Sequence, residues 1–290
     1  MKVGVTGAGG LIARTLIPLW RRAGADVVGW THAELDVTDA GAVRRALSVS
    51  RPDVVVHTAA WTDVDGAEGA AAEAMRVNRD GTAAVAAALD APATMVYLST
   101  DYVFDGTARA PIVPETPVRP LGAYARSKAA GEAVVRGAAG PWLIVRTGWV
   151  YGPFGSNFVD TMRQAAAEER TVRVVDDQVG APTSARLVAE ALWGLLAAGA
   201  RGVRHVAAAG ETSWHGVARV VYAAAGADPS LVLACSTAES GRVAQRPAYA
   251  VLDCGDTVIV LGKPLPSWED QVRAYVRSGA PVPCGLMAAA

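Results

Sequence analysis

The residues whose types and spacing most clearly indicate catalysis in this sequence are Tyr124 and Lys128, which are separated by three residues. In a helix this spacing places both side chains on one face. A phenol can donate a proton to a carbonyl oxygen on which negative charge develops, and a neighbouring ammonium lowers the phenol pKa. The pair predicts a general acid for ketone reduction. The structural alternative is an ordinary Tyr and Lys on an exposed helix face.

Lysine is rare in this chain, which makes its position informative. Of 27 basic residues three are lysines, at positions 2, 128 and 263, and the others are arginines. A lysine is a compact charge that can also hydrogen-bond a ribose, so its use at position 128 favours the functional interpretation. Thr100, which follows an apolar run at residues 95–99, adds a hydroxyl that could polarise the carbonyl oxygen.

A glycine-rich turn after the first apolar run predicts a dinucleotide site. Gly7 and Gly10 would let the backbone approach a pyrophosphate, whose charge favours the free amides at the start of the following helix. The last glycine of the usual fingerprint is replaced by Ala13, the smallest residue that still permits close packing. Alone this motif is weak, because such turns are common.

The end of the second apolar run bears on cofactor preference. Residues 30–32 contain no Asp or Glu to hold a ribose 2′-hydroxyl or to repel a 2′-phosphate. Arg14 and His32 could attract that phosphate, although Arg14 is equally well explained as a solvated helix residue. We therefore expect NADPH to be accepted at least as well as NADH.

Apolar runs and helical stretches alternate through the first half of the chain. The runs lie at residues 2–6, 26–30, 54–58, 95–99 and 143–146, and the stretches at 12–23, 40–49, 70–90 and 124–137. Repeated strand-helix-strand units need a parallel sheet covered by helices on both faces. The sequence thus predicts an α/β fold of the Rossmann type, with a doubly wound parallel sheet.

Beyond residue 150 the elements become shorter. We predict helices at residues 158–168, 186–198 and 214–225, strands at 171–175 and 203–207, and a capped helix start at Ser267. We expect residues 1–150 to form the dinucleotide-binding domain, with returning elements near 185–207. Residues 151–290 would mainly form a smaller, interleaved α/β lobe that binds substrate.

Composition argues against several classes of protein. The net charge of −1 with scattered signs provides no basic stripe for nucleic acid. No apolar run of about 18 residues could span a membrane, and we expect no signal peptide. The three widely separated cysteines, Cys235, Cys254 and Cys284, lack zinc or redox spacing, so we predict no metal site and a cytoplasmic location.

Further motifs make the chain resemble the dTDP-4-dehydrorhamnose reductases, a family of extended short-chain dehydrogenases. They are residues 34–39 (ELDVTD), 59–68 (AAWTDVDGAE), 77–78 (VN), 146–152 (RTGWVYG), 157–158 (NF), 177–183 (DQVGAPT) and 246–248 (RPA), beside the glycine turn and the Tyr-Lys pair. The resemblance implies reduction of the 4-keto group of a dTDP-linked 6-deoxyhexose by NADPH or NADH.

The resemblance also assigns residues by position. It implies that Thr100, Tyr124 and Lys128 are catalytic and that the sugar pocket is lined by Val64, Tyr102 and Trp149. Cofactor contacts are implied for Gly7, Gly10, Leu11, Ile12, Asp36, Val37, Ala59, Ala60 and Thr62, besides Tyr124 and Lys128. Two positions depart from the family pattern, Ala13 and Trp61, where tyrosine is more usual. A homodimer is an open alternative.

Two other functions remain open at this stage. One is a non-catalytic, NADP-binding regulatory subunit, against which the joint presence of Thr100, Tyr124 and Lys128 argues. The other is a related nucleotide-sugar epimerase or dehydratase, which would regenerate its nicotinamide within each turnover. Tyr102 follows Asp101 where a dehydratase would carry Glu, which weakens the dehydratase interpretation.

Overall fold

The computed structural model describes residues 1–279, and its main feature is a six-stranded parallel sheet between helices. The strands are β1 Lys2–Thr6, β2 Asp26–Trp30, β3 Val54–His57, β4 Thr94–Thr100, β5 Trp142–Thr147, β6 Val150–Tyr151, β7 Val172–Val175, β8 Val179–Gly180, β9 Thr183–Ser184, β10 Gly202–His205, β11 Thr212–Ser213 and β12 Val232–Cys235. The α-helices are α1 Leu11–Arg22, α2 Ala40–Ser50, α3 Gly66–Gly69, α4 Ala71–Met75, α5 Gly81–Ala87, α6 Ala123–Arg136, α7 Phe158–Ala167, α8 Ala185–Ala197, α9 Trp214–Ala225, α10 Gly255–Leu261 and α11 Trp268–Arg277.

The sheet order is β2-β1-β3-β4-β5-β10, and every neighbouring pair is parallel. Helices α1 and α8 bury one face of the sheet, and α2, α5 and α6 bury the other. This arrangement explains why β3 and β4 are largely apolar and are buried along their whole length. It confirms the predicted doubly wound fold. From β1 the chain adds β2 on one side and then β3, β4 and β5 on the other, so the strand order reverses between β1 and β3. This switch point creates a crevice at the carboxyl ends of the strands.

The helical stretch predicted over residues 70–90 is observed as one unbroken run from Ala71 to Ala87, but its middle turn is not α-helical. It consists of α4, a π-helical turn at Arg76–Asp80, and α5, which ends at Ala87. Such a turn inserts an extra residue and re-aims the side chains around it. Here it directs Asn78 inward, where the side chain is 1% exposed.

The second half builds a smaller layer of helices and two-stranded sheets. Helices α7, α9 and α11 share one apolar cluster that includes Val159, Val217 and Val272. Ser267 caps α11 by accepting a hydrogen bond from the Asp270 amide at 3.4 Å, as its spacing predicted.

The proposed division near residue 150 stays a prediction. Elements from beyond that residue contribute to the large sheet, because α8 packs on α1 and β10 pairs with β5. Residues 280–290 of the predicted lobe, with Cys284, lie outside the described part. Within residues 1–279 every helix is too short or too polar to cross a membrane.

Candidate active site

A cleft of about 810 Å³ opens at the switch point, beside the carboxyl ends of β1, β3, β4 and β5. Of the residues predicted for the site, the structure brings all but Arg14 to its wall: Gly7, Gly10, Leu11, Ile12, Asp36, Val37, Ala59, Ala60, Thr62, Val64, Thr100, Tyr102, Tyr124, Lys128 and Trp149. Positions far apart in sequence therefore face one space. Their individual roles stay predictions.

The glycine turn forms a cradle at one end of this cleft. Gly7 has φ +69°, and a Cβ there would lie 2.6 Å from the Ala59 amide nitrogen, so a larger residue is excluded. Gly10 precedes α1 without a side-chain cap, which leaves the first amides of the helix available for an anion. Ala13 is fully buried in the core and closes the packing of α1 on the sheet.

Two charged residues that sequence analysis missed line the same end. Arg76 donates to the Thr38 hydroxyl and forms an ion pair with Glu73 at 2.6 Å. Hydrogen bonds from the Thr38 amide and hydroxyl lower the pKa of Asp36. Arg76 adjoins the Val77-Asn78 motif, but the π-helical turn that brings it to the cleft has no marker in the sequence.

Arg14 and Glu34 differ from what the sequence suggested. The Arg14 guanidinium lies 4.1 Å from the centre of the Phe154 ring, and the residue is absent from the cleft wall. Glu34 turns back so that its carboxylate accepts from the Thr31 amide at 2.8 Å and hydroxyl at 2.7 Å. The Glu34 carboxylate therefore lies near the end of β2, where residues 30–32 alone predicted no anionic group.

Lys128 lies deep in the middle of the cleft. Its ammonium donates to the Leu98 carbonyl at 2.7 Å and lies 4.2 Å from the centre of the Tyr97 ring. Burial lowers the lysine pKa to about 7, and the carboxylate of Glu132 one helical turn away opposes that shift. Lys128 can therefore exchange its proton near neutral pH.

Tyr124 stands one helical turn before Lys128 on α6. Burial raises the tyrosine pKa above its usual value, and a hydrogen bond with Thr100 opposes the rise. The sequence predicted that the neighbouring ammonium would lower the pKa of the phenol, whereas in the structure burial raises it. The carboxylate of Asp101 and the phenol of Tyr102 add further repulsion against a phenolate.

A buried ion pair fixes α6 against the sheet. Arg146 on β5 makes two hydrogen bonds of 2.8 Å with the carboxylate of Glu132, and both side chains are 2% exposed or less. Ser99 donates to the same carboxylate at 2.6 Å. Tyr124 and Lys128 lie on the same helix as Glu132, so this network fixes their position relative to the carboxyl ends of the strands.

Asn78 joins α6 to the loop after β3. Its amide donates to the Ser127 hydroxyl at 2.8 Å, and its carbonyl oxygen accepts from the Trp61 amide at 2.8 Å. The loop that carries Ala59, Ala60 and Thr62 is thereby held to the helix that carries Tyr124. This contact gives the Val77-Asn78 motif a physical role.

Aromatic side chains and an ion pair shape the opposite end of the cleft. Tyr102 meets the Tyr124 ring edge-on at 5.8 Å. Trp149, with φ +51°, stacks on Trp214 at 3.7 Å and 9°. Arg246, from the Arg-Pro-Ala motif, donates hydrogen bonds of 2.8 and 3.0 Å to the Asp65 carboxylate. This ion pair fixes the segment next to Val64.

Neither the cleft nor the rest of the described chain supplies a cluster of three or more His, Cys, Asp or Glu side chains placed to hold a metal ion. The cleft wall carries the phenols of Tyr102 and Tyr124, the ammonium of Lys128, several hydroxyls and the buried carboxyl of Asp101.

Comparison with known proteins supplies the family. The model of the RmlD substrate binding domain matches residues 1–280. A dTDP-4-dehydrorhamnose reductase of Streptomyces griseus is 41% identical over 288 residues, which cover 97% of this chain and 93% of the relative. A dTDP-4-keto-6-deoxy-D-glucose reductase of Streptomyces niveus is 40% identical, covering 86% and 87%.

A solved structure agrees with these relatives. The dTDP-4-dehydrorhamnose reductase of Bacillus anthracis, crystallised in complex with NADP, has a TM-score of 0.91 and 32% sequence identity, and the match covers 96% of this chain and 99% of that one. These matches extend over the motifs at both ends of the cleft and confirm the resemblance read from the sequence. The chain belongs to the dTDP-4-dehydrorhamnose reductase family.

Proposed function

We propose that the protein is an NAD(P)H-dependent oxidoreductase that reduces the 4-keto group of a dTDP-4-keto-6-deoxyhexose. The observation that carries this proposal is the position of Tyr124. It lies between a glycine cradle for a dinucleotide and an aromatic pocket that contains Tyr102 and Trp149. The relatives named above act on dTDP-linked keto-sugars, which supports the same substrate class here.

The cradle fits a dinucleotide. Gly7 admits the close backbone approach of a pyrophosphate, and the uncapped start of α1 offers amides to its charge. Lys128 would hold the nicotinamide ribose, and Asp36 and Val37 would contact the adenosine half of the cofactor. When bound, the reduced nicotinamide supplies the hydride.

The protein's own side chains would then supply the proton that reduction of the carbonyl requires. Tyr124 donates its phenolic proton to the keto oxygen, and Thr100 adds a hydrogen bond from the adjoining strand end. The Lys128 ammonium stabilises the phenolate that results. Val64, Tyr102 and Trp149 would hold the sugar and exclude water from the reacting carbon.

The direct test of function is the consumption of reduced cofactor. Purified protein with a dTDP-4-keto-6-deoxyhexose should oxidise one NADPH or NADH for each sugar reduced. An epimerase would give sugar isomers without net oxidation, and a regulatory subunit would bind NADP without turnover. Either outcome would contradict the proposal.

We also propose a cytoplasmic location and retain the homodimer as the assembly to test. The thiols of Cys235 and Cys254 are free, which fits a reducing compartment. Sedimentation equilibrium would distinguish a homodimer from a monomer.

The cofactor preference gives a first prediction, because the arginine in the cleft wall is Arg76 and not Arg14. The expected contact of Arg14 stays a prediction, but its guanidinium is engaged with Phe154. We expect Arg76→Ala to weaken binding of NADPH more than binding of NADH, and Arg14→Ala to change both little. Isothermal titration calorimetry with both cofactors measures this difference. A larger selective loss in Arg14→Ala would restore the original assignment.

The aromatic stack gives a second prediction. Trp214 supports the ring of Trp149 from behind, so Trp214→Ala would let Trp149 leave its position in the sugar pocket. We expect KM for the keto-sugar to rise by about fivefold, in line with an aromatic pair worth about 1 kcal/mol beyond burial. The dissociation constant for NADPH should not change. Trp214→Phe, which retains a stacking ring, should recover most of the loss, and an equal loss in both variants would refute the stacking role.

A further inference from the structure

We propose that Asp101 is a positioning residue whose carboxylic proton turns the Thr100 hydroxyl away from Asp101 and toward Tyr124 and the oxygen being reduced. The proposal rests on the function proposed above and adds a residue to it. Asp101 was not among the predicted site residues, yet it lines the cleft and is 2% exposed.

The Thr100 hydroxyl takes part in two hydrogen bonds on the turn that follows β4. It donates to Asp101 Oδ1 at 2.9 Å and accepts from the Tyr102 amide at 3.2 Å. A hydroxyl has one proton, and an ionised carboxylate can only accept. While Asp101 is ionised, the proton of Thr100 is therefore directed at Asp101, and Thr100 has none for a keto oxygen or for Tyr124.

A protonated Asp101 reverses this hydrogen bond. The acid then donates to Thr100 Oγ1, and the Thr100 proton becomes free for the cleft, where Thr100 also contacts the Tyr124 hydroxyl. A hydrogen bond donated to that phenol oxygen favours the phenolate and lowers the tyrosine pKa. Protonated Asp101 thus helps Tyr124 to release its proton, whereas ionised Asp101 opposes this release by its charge.

The surroundings of Asp101 favour the neutral form. On its own turn it faces Thr100 and the phenol of Tyr102, on α6 it faces the phenol of Tyr124, and on the turn after β5 it packs against Gly148. Within residues 1–279 no cationic side chain pairs with it. Burial raises the pKa of this carboxyl to about 7, against the smaller effects of its hydrogen bonds with the Thr100 hydroxyl and with the backbone of Asp101 and Tyr102. The acid therefore holds its proton below about pH 7 and loses it above.

Gly148 explains how the carboxyl is accommodated. A Cβ at Gly148 would collide with the Asp101 side chain, so the space of the missing methyl group is filled by the carboxyl. The Gly148 backbone follows Thr147, which is paired in register with Thr100 across β4 and β5. The acid is thereby confined beside Thr100 and cannot swing into solvent.

The test compares pH profiles of the complete enzyme with Asp101→Asn, whose amide donates to Thr100 at every pH. Single-turnover rates of keto-sugar reduction are measured from about pH 5 to about pH 9, which is about two units either side of the shifted pKa. In the parent enzyme the rate should fall by up to about a hundredfold as pH rises through about 7, the typical value of one lost oxyanion donor. Asp101→Asn should keep near-parental rates at low pH and lose this fall. A fall in rate caused by deprotonation of Lys128 would occur in both enzymes. The difference between the two pH profiles therefore reports the contribution of Asp101 alone.

A second measurement does not depend on activity. In the parent, infrared spectroscopy should show the carbonyl band of a protonated carboxylic acid that titrates near pH 7, and Asp101→Asn should lack it. In Thr100→Val the rate should be low and its dependence on Asp101 should vanish. An identical pH fall in parent and Asp101→Asn, a slow Asp101→Asn enzyme at every pH, or no protonated-acid band at pH 6 (about one unit below the shifted pKa) would overturn the role of Asp101. Reduction by the parent would in each case leave the proposed function intact.

Discussion

Tyr124→Phe is expected to reduce the rate of hydride transfer by about 10²- to 10⁴-fold, the range that general acid catalysis contributes. The substitution removes the phenolic proton but retains the ring that meets Tyr102 edge-on. Cofactor affinity should therefore be nearly unchanged. Single-turnover absorbance with saturating NADPH and keto-sugar measures the rate, and fluorescence titration measures the affinity.

Tyr249→Phe provides the matched control for this prediction. The Tyr249 hydroxyl donates to Glu211 at 2.8 Å and does not line the cleft, so its removal should leave the rate at the parental value. If Tyr124→Phe also keeps the parental rate, the proton comes from another group and the mechanism proposed here is wrong.

Glu132→Ala is expected to cost about 3–5 kcal/mol of the free energy of unfolding, because it leaves the buried guanidinium of Arg146 without its partner. Burial raises the pKa of Glu132, but hydrogen bonds from Arg146 and Ser99 and the charge of Arg146 outweigh it and lower the net value. The stabilisation is therefore present above the unfolded-state pKa and is lost as pH falls through the folded-state value. Urea denaturation at neutral and acidic pH measures both effects.

Glu190→Ala is a suitable control for the ion pair. Glu190 pairs with Arg186 one turn away on α8 at 2.7 Å, but both side chains are well exposed. Exposed pairs contribute little, so this variant should unfold almost as the parent does. Equal destabilisation by Glu132→Ala and Glu190→Ala would show that the buried network does not anchor α6.

Strand and helix positions could be predicted where a single physical rule acts alone. Strands β1 and β2 are short runs that pair with each other in register, and their predicted bounds agree with the structure. The π-helical turn at Arg76–Asp80 could not be read, because it has the composition of an ordinary helix and depends on the contacts of Asn78 with Trp61 and Ser127.

The sequence predicted which residues meet in the cleft better than it predicted their pKa values. Spacing alone placed Tyr124 and Lys128 on one helical face, and they share the cleft with Thr100. The direction of Arg14 depends on Phe154, a residue far along the chain, and the sequence does not show that contact. The raised pKa of Asp101 likewise follows from burial beside Gly148, which only the folded chain creates.

The most direct test of the central claim follows the hydride itself. NADPH carrying deuterium at the transferable position of the nicotinamide is mixed with a dTDP-4-keto-6-deoxyhexose and the purified protein. We expect one deuterium at C4 of the sugar product for each cofactor oxidised, and we expect Tyr124→Phe to slow the transfer. A product without deuterium at C4, or isomerised sugar with the cofactor still reduced, would contradict the proposed function.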